Sequence, residues 1–309
     1  MKLSESSSHN KELPQTGYCQ RPGLFWGRLN VYDLMVIIIC LASFVCSFIE
    51  AILNNDNHHW GAAYVTALDL NRGAIPYSGV IIFYGYLTTL LHSLSLSFFG
   101  ERLLSIGIIT GLFYSFTLFF SYLVFLRFLK KNLAFFSVLL LFLIHPYIIY
   151  PGPNYLVYTF QLLALIFFLR YPDGHYNGFL AGFFLSAAFL SRFTSIQAIL
   201  PPFAILLLWD FFAAKGEKKT AIKKILLISS GFFIPLTLFT AYLLMNSALS
   251  AFFYENKMLA ITWGGIGDVN VYLNFIASVL QIVPSYASDF RGKLFTLILM
   301  VCLFVMVRE

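Results

Sequence analysis

The stretch LLSIGIITGLFYSFTLFFSYLVFL, residues 103–126, decides the fold class of this chain. It contains no charged side chain. At a rise of about 1.5 Å per residue, a helix of this length crosses a hydrocarbon core of about 30 Å. Its apolar residues run continuously and do not alternate with polar ones, which is typical of a spanning helix rather than a barrel strand. The stretch therefore predicts a transmembrane helix.

The composition of the whole chain supports the same class. Of 309 residues, 59% are hydrophobic, 18% are aromatic and 11% are charged. A soluble domain carries about 25% charged residues, so this chain has too few polar side chains to cover a water-soluble surface. These figures exclude a soluble globular enzyme, a disordered chain and a disulfide-stapled secreted module. The sequence predicts an all-α, polytopic membrane helix bundle.

Apolar runs predict helices along the chain, over 34–53, 81–99, 103–126, 133–150, 156–170, 178–199, 201–212, 225–245 and 294–307. A span needs about 20 residues, so the shorter runs indicate tilted or buried helices. The region 178–212 fits either two short helices that meet near Gln197–Pro202 or one long broken helix. The last run is short, which indicates either a truncated chain or a minimal version of its fold.

The basic residues predict the orientation, because Lys and Arg concentrate in cytoplasmic loops. They cluster in the N-terminal tail 1–33, in the loop 127–132 and in the loop 213–224. Segments on the same side of the membrane are separated by an even number of spans. The three basic segments meet this condition only if 81–99 is an interfacial helix and not a span. The resulting topology of domain 34–309 has about eight spans and both termini in the cytoplasm. It has outer loops at 54–102 and 246–293, a short outer loop at 151–155 and an outer turn near 192–201, and it favours two helices in 178–212.

A polar stripe in 81–99 supports an interfacial helix there. Thr88, His92 and Ser95 follow a helical spacing on an otherwise apolar segment, a pattern that suits a helix lying at the membrane surface.

The first outer loop holds the strongest candidate for chemistry. Residues 57–72 form a predicted surface helix that Gly73 ends, with one face made of Trp60, Ala63, Tyr64, Ala67 and Leu68. Asp56 falls at its N-cap position. It is therefore either a helix cap or a catalytic carboxylate at the outer surface, and a cap with a lowered pKa suits a base better than an acid.

The order of motifs in this loop resembles the glycosyltransferases of the GT-C fold, which include protein O-mannosyltransferases and aminoarabinose transferases. The matching positions are Asp56, Tyr64, Leu70–Gly73, Pro76–Tyr77, Tyr84–Leu87 and Phe99–Leu103. The resemblance implies an inverting transferase that uses a sugar on a polyprenyl phosphate. It implies that Asp56 acts as the base and that positive charge or a divalent metal meets the leaving phosphate. Glu50 is a candidate second carboxylate, although an ordinary interfacial acid is the favoured interpretation.

Several other residues are candidates for binding the substrates. Arg192 lies in a long apolar stretch, where a charge usually faces a cavity or a partner. We expect it to bind the donor phosphate, with Lys257 and Arg102 as alternatives. Polar or aromatic side chains that we expect to contact the substrate are His58, His59, Tyr64, Tyr84 and Trp263. Adjacent histidines in a helix point about 100° apart, which disfavours a shared zinc ion.

Other functions compete with this one. The chain has no P-loop, no zinc-protease motif and no dinucleotide fingerprint. A transporter or flippase for a lipid-linked sugar is one alternative, and a surface-polysaccharide polymerase or ligase is another. In the leading interpretation, the enzyme lies in the plasma membrane. It transfers a sugar to a lipid, glycan or protein acceptor and has no nucleic-acid partner.

Overall fold

The computed structural model describes residues 30–53, 57–144, 151–171, 174–193, 196–213 and 218–264. Within these ranges the chain is helical and contains no β-strand. The helices are α1 (Val31–Leu53), α2 (Ala62–Asn71), α3 (Tyr86–Phe99), α4 (Leu103–Phe125), α5 (Lys131–Ile144), α6 (Asn154–Leu169), α7 (Tyr176–Ser191), α8 (Ile196–Ala213), α9 (Lys218–Met245) and α10 (Leu249–Gly264). A π-helical turn, Asn57–Gly61, precedes α2.

Three of these helices, α1, α4 and α9, are long and apolar enough to cross a membrane. For the described residues, the predictions of an all-helical chain and of helices able to span a membrane are therefore confirmed. The predicted segment 294–307 lies outside the described residues, as does the end of 133–150.

Small residues bring α1 and α4 into close contact. Ser47 Oγ donates a hydrogen bond to the Gly107 carbonyl oxygen at 2.9 Å. A Cβ atom at Gly107 would lie 2.7 Å from the Ala51 Cβ, and one at Gly111 would lie 2.9 Å from the Ser47 Cβ. Without a hydrophobic driving force in lipid, helices associate through such close backbone approach and interhelical hydrogen bonds. This pair therefore packs as membrane helices do.

A buried carboxylate joins the start of α1 to α4 and α5. Asn30 and Asp33 form a reciprocal capping box, in which each side chain accepts from the other's backbone N–H at 3.0–3.1 Å. Asp33 also accepts a hydrogen bond from the Tyr122 hydroxyl at 2.7 Å and pairs with Lys131 at 3.1 Å. No pattern in the sequence predicted a role for Asp33.

The region 178–212 forms two helices, as the predicted topology favoured, but the break between them does not lie near Gln197–Pro202. Helix α7 ends at Ser191, where Arg192 takes an extended conformation, and α8 begins at Ile196 and continues through Pro201 and Pro202. The predicted junction near Gln197–Pro202 is therefore wrong. The two prolines are the sixth and seventh residues of α8, beyond the first turn in which a helix tolerates proline best, and the helix nevertheless includes both.

The predicted helix over 57–72 is confirmed as the π-helical turn followed by α2, and Gly73 ends it with a φ of +92°. Its predicted apolar face is also confirmed. Trp60, Ala63 and Ala67 are buried against Leu96 and Ile106.

Helix α3 is present, but its polar stripe does not face a membrane surface. Thr88, His92 and Ser95 are all buried inside the protein. Thr88 Oγ1 donates a hydrogen bond to the Ser191 carbonyl oxygen at 2.9 Å, and Ser95 Oγ donates one to the Ser105 carbonyl oxygen. The exposed face of α3 is apolar and includes Phe98 and Phe99. The polar stripe of α3 therefore faces neighbouring helices while an apolar side is exposed, which is the reverse of the expected arrangement.

Candidate functional site at the loop 72–85

The loop between α2 and α3, residues 72–85, is held in a single tight conformation. Tyr77 has a φ of +67°, which is rare for a residue with a side chain. Its N–H donates to the Val80 carbonyl at 2.9 Å, and the Gly79 N–H donates to the Ile75 carbonyl at 2.7 Å. Tyr77, Val80 and Ile82 are buried against α9. Such backbone strain persists only where the surrounding packing fixes it.

His59 reaches this loop from the π-helical turn. Its Nδ1 lies 2.8 Å from the Tyr84 hydroxyl, and both side chains are half-buried. The two residues lie 25 positions apart in the sequence. The structure therefore brings together two of the predicted substrate-contacting residues.

The end of α7 contacts the other end of the loop. A Cβ atom on Gly85 would collide with the Ser191 carbonyl, so glycine is required at this contact. The next residue, Arg192, is exposed, and its Nη1 donates a hydrogen bond to Asn154 Oδ1. Arg192 thus follows directly after the residue that contacts Gly85, and its guanidinium is oriented by Asn154, the first residue of α6.

Glu255 approaches the same loop from α10. Its Oε2 accepts a hydrogen bond from the Ile82 N–H at 3.4 Å. Burial raises the pKa of this carboxyl above its usual value. Burial, and then the charge of Glu255, also raise the pKa of the Tyr77 hydroxyl. That hydroxyl is buried and has no hydrogen-bond partner in the described part of the chain.

The remaining candidates occupy other places. Tyr64 donates its hydroxyl hydrogen to the Glu101 carbonyl at 3.1 Å, and the exposed Arg102 follows at the N-cap of α4. Glu101 and Arg102 directly follow the C-terminal end of α3. Since α3 is about 20 Å long, Arg102 and Arg192 lie near opposite ends of that helix.

Glu50 is half-buried in the last turn of α1, and Lys257 is exposed on α10, two residues after Glu255. Asp56 lies outside the described residues, as do the side chains of His58 and Trp263. Among the described residues, no three His, Cys, Asp or Glu side chains form a metal-binding group.

Sequence reasoning gave no role to Asn154 and did not separate Glu255 from the other acids of the second outer segment. Asn154 is the polar residue that opens an apolar helix after Pro151-Gly152-Pro153, which was the available signal. Glu255 gave no signal because the segment 246–293 was predicted only as a loop, whereas the structure contains α10 within it.

Compared with known proteins, this chain matches no protein-family model, no curated protein and no solved structure. The function is therefore argued from the residues and their geometry.

Proposed function

We propose that this chain is a membrane glycosyltransferase that moves a sugar from a polyprenyl-phosphate donor to an acceptor hydroxyl at the outer face of the plasma membrane. In this proposal Asp56 is the base and Arg192 binds the donor phosphate. The chain crosses the membrane about eight times, with both termini in the cytoplasm, and α2 and α3 belong to the outer segment.

The observation that carries the proposal is the convergence on the loop 72–85. Two side chains contact this loop: His59 from the π-helical turn reaches Tyr84, and Glu255 from α10 reaches Ile82. The backbone of α7 contacts the loop as well, because the Ser191 carbonyl lies against Gly85, and Arg192 is the next residue. A transferase for a charged lipid donor uses a cation to stabilise the leaving phosphate, and Arg192 can supply one at this end of α7.

Helix length supports a site that a lipid phosphate can reach. Helices α6 and α7 have 16 residues each, about 24 Å at the usual rise, whereas a hydrocarbon core is about 30 Å thick. The shared end formed by Asn154 and Arg192 then falls just inside the outer boundary of the hydrocarbon. A charge at that depth is costly unless it faces a cavity or an anionic group.

The chemistry would proceed by direct displacement. The acceptor oxygen forms a bond to the anomeric carbon while its proton passes to the Asp56 carboxylate. The bond between the anomeric carbon and the phosphate oxygen breaks, and the electron pair leaves with the lipid phosphate. Arg192 would stabilise the resulting negative charge, and His59 with Tyr84 would hold the sugar hydroxyl groups.

The test is transfer of labelled sugar from a panel of polyprenyl-phosphate hexoses and pentoses in membranes that contain the protein. Arg192→Gln should raise the apparent KM for the donor about tenfold or more, because a charge-assisted phosphate contact is worth about 1.5–3 kcal/mol. Arg102→Gln removes the same charge at the other end of α3 and serves as the matched control. Equal effects of the two variants would contradict the assignment of Arg192.

The topology is tested with single cysteines at exposed positions. Ser78 lies in the loop 72–85 and Lys219 lies in the first turn of α9, and both are exposed. An impermeant maleimide added to intact cells should label Ser78→Cys and not Lys219→Cys. The reverse pattern would invert the orientation and place the site on the cytoplasmic side.

A further inference from the structure

A second polar region, distant in sequence from the loop 72–85, surrounds the turn between α6 and α7. Lys224 Nζ lies 3.8 Å from the centre of the Phe168 ring and 5.2 Å from that of Tyr171. Both rings are buried. A cation over two aromatic faces is held in a defined position, so this lysine is fixed next to the C-terminal end of α6, where Arg170 precedes Tyr171.

A hydrogen bond joins the end of α6 to the start of α7. Asn177 is buried, and its Nδ2 donates a hydrogen bond to the Arg170 carbonyl at 2.7 Å. Arg170 caps the end of α6, and its side chain is exposed. The Tyr171 hydroxyl is buried and lacks a hydrogen-bond partner among the described residues. The site therefore combines two cations with a buried donor that has no described partner.

More positive charge surrounds this turn. Lys218, Lys219 and Lys223 are exposed on the first two turns of α9. Counted over 170–175 and 209–224, the sequence holds six Lys and Arg against three Asp and Glu, a net charge of +3.

Exposed aromatic side chains mark the level at which this surface meets the membrane. Tyr176 at the start of α7 is 67% exposed, and Trp209 and Phe212 near the end of α8 are 73% and 78% exposed. In the sequence only residues 214–217 separate the end of α8 from the start of α9, so Trp209 and Phe212 lie at the same end of the bundle as the lysines. Aromatic residues and Lys or Arg concentrate together at the headgroup region of a bilayer.

We propose that Arg170, Lys223 and Lys224, together with the Tyr171 hydroxyl, bind the phosphate headgroup of an anionic phospholipid. The lysines on the first turns of a spanning helix attract anionic lipid, and the Lys224–Tyr171 contact adds a defined position for one headgroup. This site is separate from the loop 72–85 and does not depend on the proposed transferase activity.

The experiment is native mass spectrometry of the purified full chain in detergent, titrated with phosphatidylglycerol or with phosphatidylcholine. The wild-type chain should bind phosphatidylglycerol more tightly than phosphatidylcholine. Each lysine near a headgroup contributes about fivefold in affinity, so Lys223→Gln/Lys224→Gln should weaken phosphatidylglycerol binding about 25-fold. Phosphatidylcholine binding should not change.

Two further arms keep the proposal falsifiable. Lys224→Arg retains the cation over the rings and should retain binding, which separates loss of charge from loss of packing. Arg102→Gln/Lys257→Gln removes the same charge elsewhere and should have no effect. Equal losses in this control and in the lysine pair would overturn the site. Displacement of phosphatidylglycerol by millimolar inorganic phosphate would assign the site to a free anion and overturn the lipid as its occupant.

Discussion

The contact between α7 and α9 gives the strongest prediction about stability. Gly182 on α7 lies against the Ile228 carbonyl, and Gly231 on α9 lies against the Phe179 carbonyl. A Cβ atom at either glycine would overlap the backbone of the opposite helix. A backbone cannot rotate away as a side chain can, so the two helices would have to move apart.

Overpacking of this kind typically costs about 1–3 kcal/mol. We expect Gly182→Ala and Gly231→Ala each to lower the free energy of unfolding by about 2–3 kcal/mol. At about 2–4 °C for each kcal/mol, the Tm should fall by about 4–12 °C. The double variant should lose less than the sum, because one separation of the helices relieves both overlaps.

The assay is thermal denaturation in detergent, followed by the loss of the monodisperse peak in size-exclusion chromatography. Ser186→Ala is the matched control on α7. Its hydroxyl is buried and lacks a hydrogen-bond partner in the described part of the chain, so its removal should not lower the Tm. An unchanged Tm in Gly182→Ala, or full additivity in the double variant, would refute the reasoning.

Three further predictions use the same thermal assay. Asp33→Ala should cost about 2–4 kcal/mol, because it removes a helix cap and orphans the buried Tyr122 hydroxyl. Lys131→Ala should cost less than about 1 kcal/mol, because its side chain is 48% exposed. Equal losses of stability in Asp33→Ala and Lys131→Ala would contradict this explanation. Burial raises the pKa of Glu255 in the folded state. Its contribution to stability is therefore present at acid pH and is lost as the pH rises through that raised pKa. Glu255→Gln should therefore raise the Tm at pH 7 but not near pH 4, and a uniform shift would argue against burial as the cause. Burial lowers the pKa of His92 to about 4, so stability should fall as pH drops from about 6.5 toward 4. His92→Leu should flatten that part of the Tm profile, and an unchanged profile would show that His92 does not control it.

The long helices were predictable because a continuous apolar run has one stable form in a membrane. Helices α1 and α4 begin within three residues of their predicted starts. The surroundings that a polar stripe faces were harder to predict. Thr88, His92 and Ser95 were correctly placed on one face, but periodicity does not say whether that face meets water or protein. In this chain Thr88 and Ser95 donate to carbonyl oxygens of α7 and α4, and the buried His92 Nε2 has no hydrogen-bond partner among the described residues.

The site was only partly predictable for a related reason. Local patterns identified Arg192, His59 and Tyr84 as separate candidates. Their arrangement depends on contacts between distant segments, such as the one between Glu255 and Ile82, which lie 173 positions apart. A single sequence carries no signal for such a pairing. The break at Arg192 lies within the predicted turn near 192–201, but the meeting point of the two helices was placed too late, because Pro201 and Pro202 gave a stronger local signal than the actual helix end.

The measurement that tests the central claim most directly is the initial rate of sugar transfer by Asp56→Asn, compared with the wild-type chain at equal protein levels in the same membranes. The variant keeps the size of the side chain and removes its basicity. We expect a fall in kcat of about 10²–10⁴, with little change in the KM for the polyprenyl-phosphate donor. Transfer at the wild-type rate would contradict the assignment of Asp56 as the base.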